Sequence, residues 1–561
     1  MYSAQDPAPK SSVGGPTVGI FMGANVDDSA HPPNAERNRL LADLVLHYAC
    51  APFITCAEAP TSGTVASPYQ YVQQELHVAP LQPELVERYA LWSGGGSPPA
   101  AAPPSAIFYW HNQRFPNVGV EEMTADTHEP AYINFLKVRE TLSAVDEGGA
   151  HARADAGTPP RLAEAVGGPL AASHPPSGCS SAVSSAGCAA VELPPLRGLP
   201  HLLAVPTDAD YGLVGDARPF VGLWRSVTTA VAGTLHAVRW LLGREEGRLP
   251  ADAAPRSERM AALHWFGGRH RARRSSAADF CYVNDVALGA RALQRGLPPE
   301  QNKVLLVDLG AHPGDGTEST LRKDPDFFCL SIHTRGVSGA AAAAGGEADT
   351  VFNLPLPPGA TDTLYVPLAR HAIRAAMHVL GDTVGAVVLV CGADGLQGDP
   401  LGRLNLTVAG LQSVARLVVD FVDERRLRLL VLGGGGGAVD TSTARLSAVV
   451  TRDVLSCAAA RRDGAPPEAR YAASPWMVDV GVPVPDSSQF FTRYGGCFLM
   501  HGLPPACVPR LSELGPDNPY YAKYVKLKEA ARTRRASGAG VLNTSPEAPR
   551  RISVPLLHMD S

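Results

Sequence analysis

The stretch from Val304 to Gly316, VLLVDLGAHPGDG, constrains the fold more than any other part of this 561-residue chain. It begins as a short apolar run with no polar alternation, the mark of a strand buried on both faces of a parallel sheet. Gly310, Pro313, Gly314 and Gly316 then prevent the run from continuing as strand or helix. Two further runs have the same form: Ala386–Val390 ends in CGADG, and Leu429–Leu432 ends in Gly433 to Gly437. TVGIFM (17–22) and FFCLSIH (327–333) read as additional strands. Strands that alternate with helical segments and close in Gly-bearing loops predict an α/β sheet with a crevice along its carboxyl edge. Taken alone, any one of these loops is more simply an ordinary tight turn.

The helical segments follow from apolar spacing. Leu40, Leu41, Leu44, Val45 and Tyr48 share one helix face after a loop holding His31, Pro32 and Pro33. Residues 121–137 read as a loop and then a helix carrying Tyr132, Ile133, Phe135 and Leu136. Ala230–Leu242 and Phe280–Leu293 read as helices, the second leading into the central strand. RGVSGAAAAAGGEADT (335–350) reads as a flexible loop.

The length allows one large α/β domain with insertions, or two to three ordinary domains. A net charge of −5 gives no global attraction to nucleic acid, so any chromatin contact would be local or made through partners. Glycine and proline concentrate in patches, at 91–105 and in a low-complexity insertion over about 145–199 that holds Cys179 and Cys188. So few large apolar side chains do not offset backbone ordering, so disorder is expected there. The ten cysteines lack paired or finger-like spacing and read as reduced intracellular thiols. The N-terminus carries no basic-then-apolar leader, and no apolar run approaches the roughly 20 residues of a membrane span. The tail from Lys526 is basic and expected to be disordered. Its clusters Arg534-Arg535-Ala536-Ser537 and Arg550-Arg551-Ile552-Ser553 match import or phosphorylation signals, but such clusters are common.

Four long segments, in this order, resemble the zinc-dependent histone deacetylases, closest to the class I type. WFGGRHRARRSSAADFCYVND (265–285) is similar to the family's W-x-G-G-x-H-H-A-x-x-S segment running into F-C-Y-V-N-D. VDLGAHPGDG (307–316) is similar to I-D-x-D-x-H-H-G-D-G, and LVCGADGLQGDPLGRLNLTVAG (389–410) to L-x-C-G-A-D-S-L-x-G-D-x-L-G-x-F-N-L-T-x-x-G. LLVLGGGGGA (429–438) is similar to L-x-L-G-G-G-G-Y. Fainter likenesses lie at 31–40, 121–136 and 484–495. The resemblance implies a single arginase/deacetylase-type domain with a central, mostly parallel eight-stranded sheet flanked by helices. Its boundaries would be 17–525, interrupted by the 145–199 insertion, between a disordered N-terminus (1–16) and the tail (526–561).

The same resemblance implies a zinc held by an aspartate and a histidine two residues apart and by the aspartate of C-G-A-D. His312 and Asp394 match two of these ligands, and Gly310 stands at the third. A zinc site of this kind needs three protein donors, and loss of even a supporting partner typically costs about 10–100-fold in affinity. Asp308 would point to the same side as Gly310 but about 6–7 Å back along the strand. By its match it is already committed to supporting the first catalytic histidine, His270. Arg271 replaces the second catalytic histidine, and a guanidinium does not exchange protons near neutral pH. The family's partner for that second histidine is matched by Asp315, so an Arg271–Asp315 salt bridge is expected. Ala438 stands where the oxyanion-donating tyrosine would be, and loss of one such donor typically costs about 10²–10³ in rate.

Phe280 matches one aromatic wall of the substrate tunnel, beside Asp279 where the family has glycine, and the opposite rim is replaced by the Ala/Gly stretch after Gly336. Asp308, His312 and Ser331 match positions around a structural monovalent cation, so a potassium site is a candidate. The basic residues that hold an inositol phosphate against corepressors correspond to Asn34, Pro400 and Thr441, none of them basic. The expectation is therefore a nuclear pseudo-deacetylase, with a cytoplasmic pool also compatible. Zinc would be weak or absent, and the role that of a subunit or scaffold in a chromatin or corepressor-like complex, partnered in one version by an active deacetylase. Direct nucleic-acid binding and membrane association are not expected. The rival expectation is an active zinc-dependent lysine deacetylase with a rebuilt metal site, and a third is acyl-lysine binding without turnover.

Overall fold

The computed structural model describes residues 17–22, 32–50, 108–111, 115, 117–124, 126–139, 206–244, 259–335, 350–399, 401–436, 440–466 and short pieces between 470 and 501. Eight strands form one sheet: β1 (Val18–Phe21), β2 (Phe108–His111), β3 (Ala261–His264), β4 (Lys303–Asp308), β5 (Phe327–Thr334), β6 (Val351–Leu356), β7 (Val384–Val390) and β8 (Arg428–Leu432). Their order is β2-β1-β3-β8-β7-β4-β5-β6. Every neighbouring pair is parallel. Parallel pairing demands crossovers, and the helices Asp285–Gln294, Asp315–Leu321, Asp362–Leu380 and Val408–Glu424 supply four of them.

Side-chain alternation along the strands builds two cores, one on each face. Leu305 and Val307 of β4, Val387 and Leu389 of β7, and Leu429 and Val431 of β8 pack with the helices Pro32–Leu44, Asp362–Leu380, Val408–Glu424 and Asp440–Arg462. Val304 and Leu306, Ala386 and Val388, and Leu430 and Leu432 face the other way, against Leu223–Leu241 and Asp285–Gln294. A strand covered on both sides gains nothing from polar residues at either parity. That is why β4, β7 and β8 are apolar runs.

The structure departs from the sequence expectations at several elements. Pro32 and Pro33 are not loop residues but the first turn of a helix, where a missing N–H costs nothing. Residues 120–124 form a short helix, and the helix bearing Tyr132 and Leu136 runs over 130–139. The helix expected at Ala230–Leu242 begins two turns earlier, at Leu223. Phe280–Val283 are not helical: φ is +43° at Asp279 and +63° at Phe280, and the helix starts only at Asp285. Asn284 caps it, its Oδ1 accepting from Ala287 N at 2.9 Å. The expected mostly parallel eight-stranded sheet is borne out, every neighbouring pair of described strands being parallel. The 145–199 insertion, the chain ends at 1–16 and from 526, the loop over 336–349 and Ala438 lie outside the described residues. Among the described residues, no helix is long and apolar enough to cross a membrane.

Candidate active site at the carboxyl edge of the sheet

Strands β3, β4, β7 and β8 release their chains into four loops at one edge, 265–284, 309–314, 391–407 and 433–436. Tight backbone approach makes this convergence feasible. A Cβ on Gly435 would lie 2.4 Å from Asp394 Oδ2, and one on Gly268, at φ +98°, would lie 2.7 Å from the Gly433 carbonyl. Glycine at these two positions lets the loops meet around the site.

His270 sits in this edge, buried, with its Nδ1 2.5 Å from Asp308 Oδ2. Asp308 closes β4, and its second oxygen accepts Gly310 N at 3.1 Å. Burial works against charging the imidazole, but the charge and hydrogen bond of Asp308 outweigh it and hold the His270 pKa above its ordinary value. Asp308 is thus committed to His270 and to the loop backbone, with its Oδ1 3.2 Å from where a Cβ on Gly310 would stand.

Arg271, next in the chain, is 2% exposed and heavily bonded. Its Nε and Nη2 donate to Asp279 Oδ2 at 2.9 and 2.6 Å, and its Nη1 donates to the Pro313 carbonyl at 2.7 Å. Nη1 also lies 3.0 Å from Asp315 Oδ1, the expected ion pair. Arg273 reaches the other oxygen of Asp315 at 2.6 Å, so two guanidinium groups and two carboxylates balance one another. The Asp279 contact adds a second carboxylate to the expected Arg271–Asp315 pair. Asp279 carries the left-handed backbone that glycine tolerates freely, a strain of about 1 kcal/mol or more for other residues. Its ion pair with Arg271 offsets that strain.

His312 and Asp394 are brought together, His312 Nδ1 standing 2.7 Å from Asp394 Oδ2. Asp394 Oδ1 accepts Ala311 N at 2.9 Å. Burial alone would raise the Asp394 pKa, but the hydrogen bond and charge of His312 hold it below the usual carboxylate value. Two ligands of one tetrahedral zinc stand roughly 3.3 Å apart at ordinary bond lengths; here they bond to each other directly. A Cβ on Gly310 would lie 3.2 Å from Asp308 Oδ1, 3.3 Å from His270 Cε1 and 3.5 Å from Asp394 Oδ1, so a side chain there would enter the space between them. Glycine offers no donor to that space. Among the described residues no group of three or more His, Cys, Asp or Glu is placed to hold a metal ion. The residues present therefore do not fit a three-donor zinc centre.

Asp308 and Ser331 are register partners on β4 and β5. With Gly314 and Glu318 they line a cavity of about 10 Å³, close to the ~10–15 Å³ one water needs. Ser331 Oγ is 3.1 Å from His333 Nδ1, and Glu318 Oε1 is buried without a hydrogen-bond partner. Burial pushes the Glu318 carboxyl up to about 7. Side-chain oxygens and an orphaned acceptor around a small cavity suit a hard monovalent cation, so Asp308 and Ser331 fit the potassium candidate, while His312, its third residue, does not line this cavity.

Two positioning residues escaped the sequence reading. Asn284 Nδ2 donates to the carbonyls of His270 and Ala272 at 3.3 and 2.9 Å, fixing the loop that bears both His270 and Arg271. His128 Nε2 accepts Asn284 N at 2.9 Å, and burial lowers its pKa to about 4, which keeps it a neutral acceptor. The signal lay in FCYVND and in THEP, but the contact spans 156 residues and no local pattern announces it.

The histone deacetylase domain family matches residues 109–454, more than half of the chain. Histone deacetylase 6 of Arabidopsis thaliana is 36% identical over 187 residues, 32% of this chain and 38% of that protein. Type-1 histone deacetylase 1 of Dictyostelium discoideum is 35% identical over 185 residues, covering 32% and 35%. Histone deacetylase 1 of Homo sapiens is 34% identical over 181 residues, covering 31% and 36%. The match thus spans little more than a third of each of these relatives.

Proposed function

Because the chain belongs to the histone deacetylase family, of class I-like type, we propose that it is a catalytically silent member acting as a subunit or scaffold of a chromatin-associated complex. The observation that carries this reading is Arg271. At the second catalytic-histidine position stands a buried guanidinium held by Asp279, Asp315 and the Pro313 carbonyl. A guanidinium has no acceptor lone pair with which to act as a general base, and this one is tied to its carboxylates. Gly310 at a zinc-ligand position and Ala438 at the tyrosine position support the same conclusion, since metal ligation, proton transfer and oxyanion stabilisation each lose a group. When bound in this family, zinc polarises the amide carbonyl and its attacking water; here His312 and Asp394 would be its two remaining donors.

In this reading one domain spans 17–525, with the 145–199 insertion and the 526–561 tail as appendages. Potassium beside Asp308 and Ser331 would have a structural part. Location would be nuclear, and partners would be proteins of a corepressor-like assembly, one of them an active deacetylase. Asn34, Pro400 and Thr441 offer no cationic pocket for an anion bridging to such partners.

The His270–Asp308 pair favours a second reading, an active zinc-dependent lysine deacetylase with a rebuilt metal site, because that pair retains a titratable imidazole in the family's arrangement. The full-length protein, loaded with zinc and assayed on acetyl-lysine histone peptides, decides between them. Turnover at background, unchanged in His312→Ala, is expected of the silent protein. Zinc-dependent turnover lost in His312→Ala would establish the enzyme instead.

A further inference from the structure

The helix Asp362–Leu380 turns Ala369, Ile373 and Ala376 into the core and leaves Arg370 and Arg374 one turn apart on its outer side. Both arginines are partly buried. Residues four apart on a helix have Cβ atoms about 5–6 Å from each other, so the two guanidinium groups share one patch. Arg370 Nη1 donates to the Ser413 carbonyl of the neighbouring helix at 3.3 Å, its one hydrogen bond among the described residues. Arg374 makes no hydrogen bond or ion pair among them.

Other buried or partly buried guanidinium groups of this domain do have a carboxylate. Arg291 lies 3.2 Å from Asp324, Arg416 3.2 Å from Asp453 and Arg470 2.6 Å from Asp423. The carboxylate whose charge reaches Arg370 is Asp420, and it is already engaged. It accepts the Tyr471 hydroxyl at 2.7 Å and lies 3.5 Å from Arg470. Burial and the charge of Arg374 push the Arg370 pKa down from its ordinary value. A guanidinium still stays protonated, so the patch keeps two like charges, partly withdrawn from water and with no carboxylate of their own.

We propose that this patch docks a protein partner through an acidic helix that carries two carboxylates one turn apart. Each carboxylate accepts from one guanidinium, whose planar fork presents two parallel N–H donors. The spacing of four residues on the partner matches that of Arg370 and Arg374. The neighbouring helix limits the patch. Its Arg416 is neutralised by Asp453, and Asp420 and Glu424 follow at the next two turns. A continuous polyanion such as nucleic acid would meet those carboxylates as well, so a short acidic pair suits the charge pattern and a phosphate backbone does not.

The test is the fluorescence anisotropy of a labelled alanine- and glutamine-based helical peptide carrying two glutamates four residues apart, titrated with the full-length protein. The same peptide with glutamine for both glutamates, and a DNA duplex, are the comparisons. Saturable binding of the glutamate peptide alone is expected, weakening as salt is added. Arg370→Gln/Arg374→Gln should weaken it by about tenfold or more, with no fall in Tm, because no ion pair within the chain is broken. Arg426→Gln, which makes a charge change at an exposed arginine beyond the patch, should bind as the wild type does. No saturable binding of the glutamate peptide, equal binding of the glutamine peptide, or an equal loss in Arg426→Gln would overturn the proposal. Binding of the DNA duplex instead of the peptide, lost in the double variant, would overturn it in favour of nucleic acid. The silent-deacetylase reading does not depend on any of these outcomes.

Discussion

His270 and Arg271 are neighbours in the chain, each buried and each bonded to a carboxylate, yet the two halves of the site rest on different physics. The His270 half is a neutral-or-charged dyad with Asp308, whose state depends on pH. The Arg271 half is a fixed-charge cluster in which Arg271 and Arg273 balance Asp279 and Asp315. A shared backbone frame, held by Asn284 and the glycine loops, accepts both. Chemistry at one position can be exchanged without loss of fold, provided that the new charge finds its counterions within the same few loops. The comparison also explains Asp279, a strained residue that has no purpose in the His270 half.

The largest break in this comparison should come from Arg271→Ala. Removing the cation leaves Asp279 and Asp315 close together and partly buried. Breaking a fully buried pair costs about 3–5 kcal/mol, and the partial exposure of both carboxylates brings the expected loss to about 2–4 kcal/mol. Urea denaturation measures it, and a loss under about 0.5 kcal/mol, the range of ordinary surface substitutions, would show the cluster to be ornamental.

Asp279→Gly should cost less, about 1 kcal/mol, because relief of the left-handed strain offsets part of the lost charge-assisted bonding. The pairing itself is read from the double variant Arg271→Ala/Asp279→Gly. Its destabilisation should fall short of the sum of the single effects by about 1–3 kcal/mol. Strict additivity would mean that the two substitutions are independent, and the compensation argument would fail.

The smallest effect separates the halves by pH. The pKa of His270 is raised in the folded state, so its contribution to stability is fully present below the unfolded value of about 6.5 and is lost as pH rises through the raised folded value. His270→Asn should remove that decline. Arg271→Ala should keep it, since a guanidinium stays charged over the whole range. Parallel pH–stability curves for wild type and His270→Asn would contradict the assignment.

What the sequence made legible follows the same division between local and distant causes. Strands β4, β7 and β8 were visible because burial on both faces leaves a near-continuous apolar run, and β1 and β5 because most of their residues are apolar, although β5 also carries Ser331 and His333. Strands β2, β3 and β6 were not: β3 is four residues, Ala-Ala-Leu-His, and β6 is an edge strand, Val-Phe-Asn-Leu-Pro-Leu, in which only Leu354 and Leu356 are buried. Their strand state comes from pairing with neighbours distant in the chain rather than from their own pattern. The start of the helix at Asp285 was placed too early because the apolar spacing of FCYV imitates a helical face, while the positive φ of Asp279 and Phe280 has no glycine to announce it. Arg271 and Asp315 were matched through motif positions. The Asp279 contact depends on that unannounced turn and came only with the structure.

Whether the site has given up metal-assisted chemistry is read from the zinc content of the metal-replete protein beside His312→Ala. Far less than one zinc per chain is expected, with no difference between the two proteins, because His312 and Asp394 are the only family ligand positions still filled. About one zinc per chain, lost in His312→Ala, would show that a third donor has been found and would contradict it.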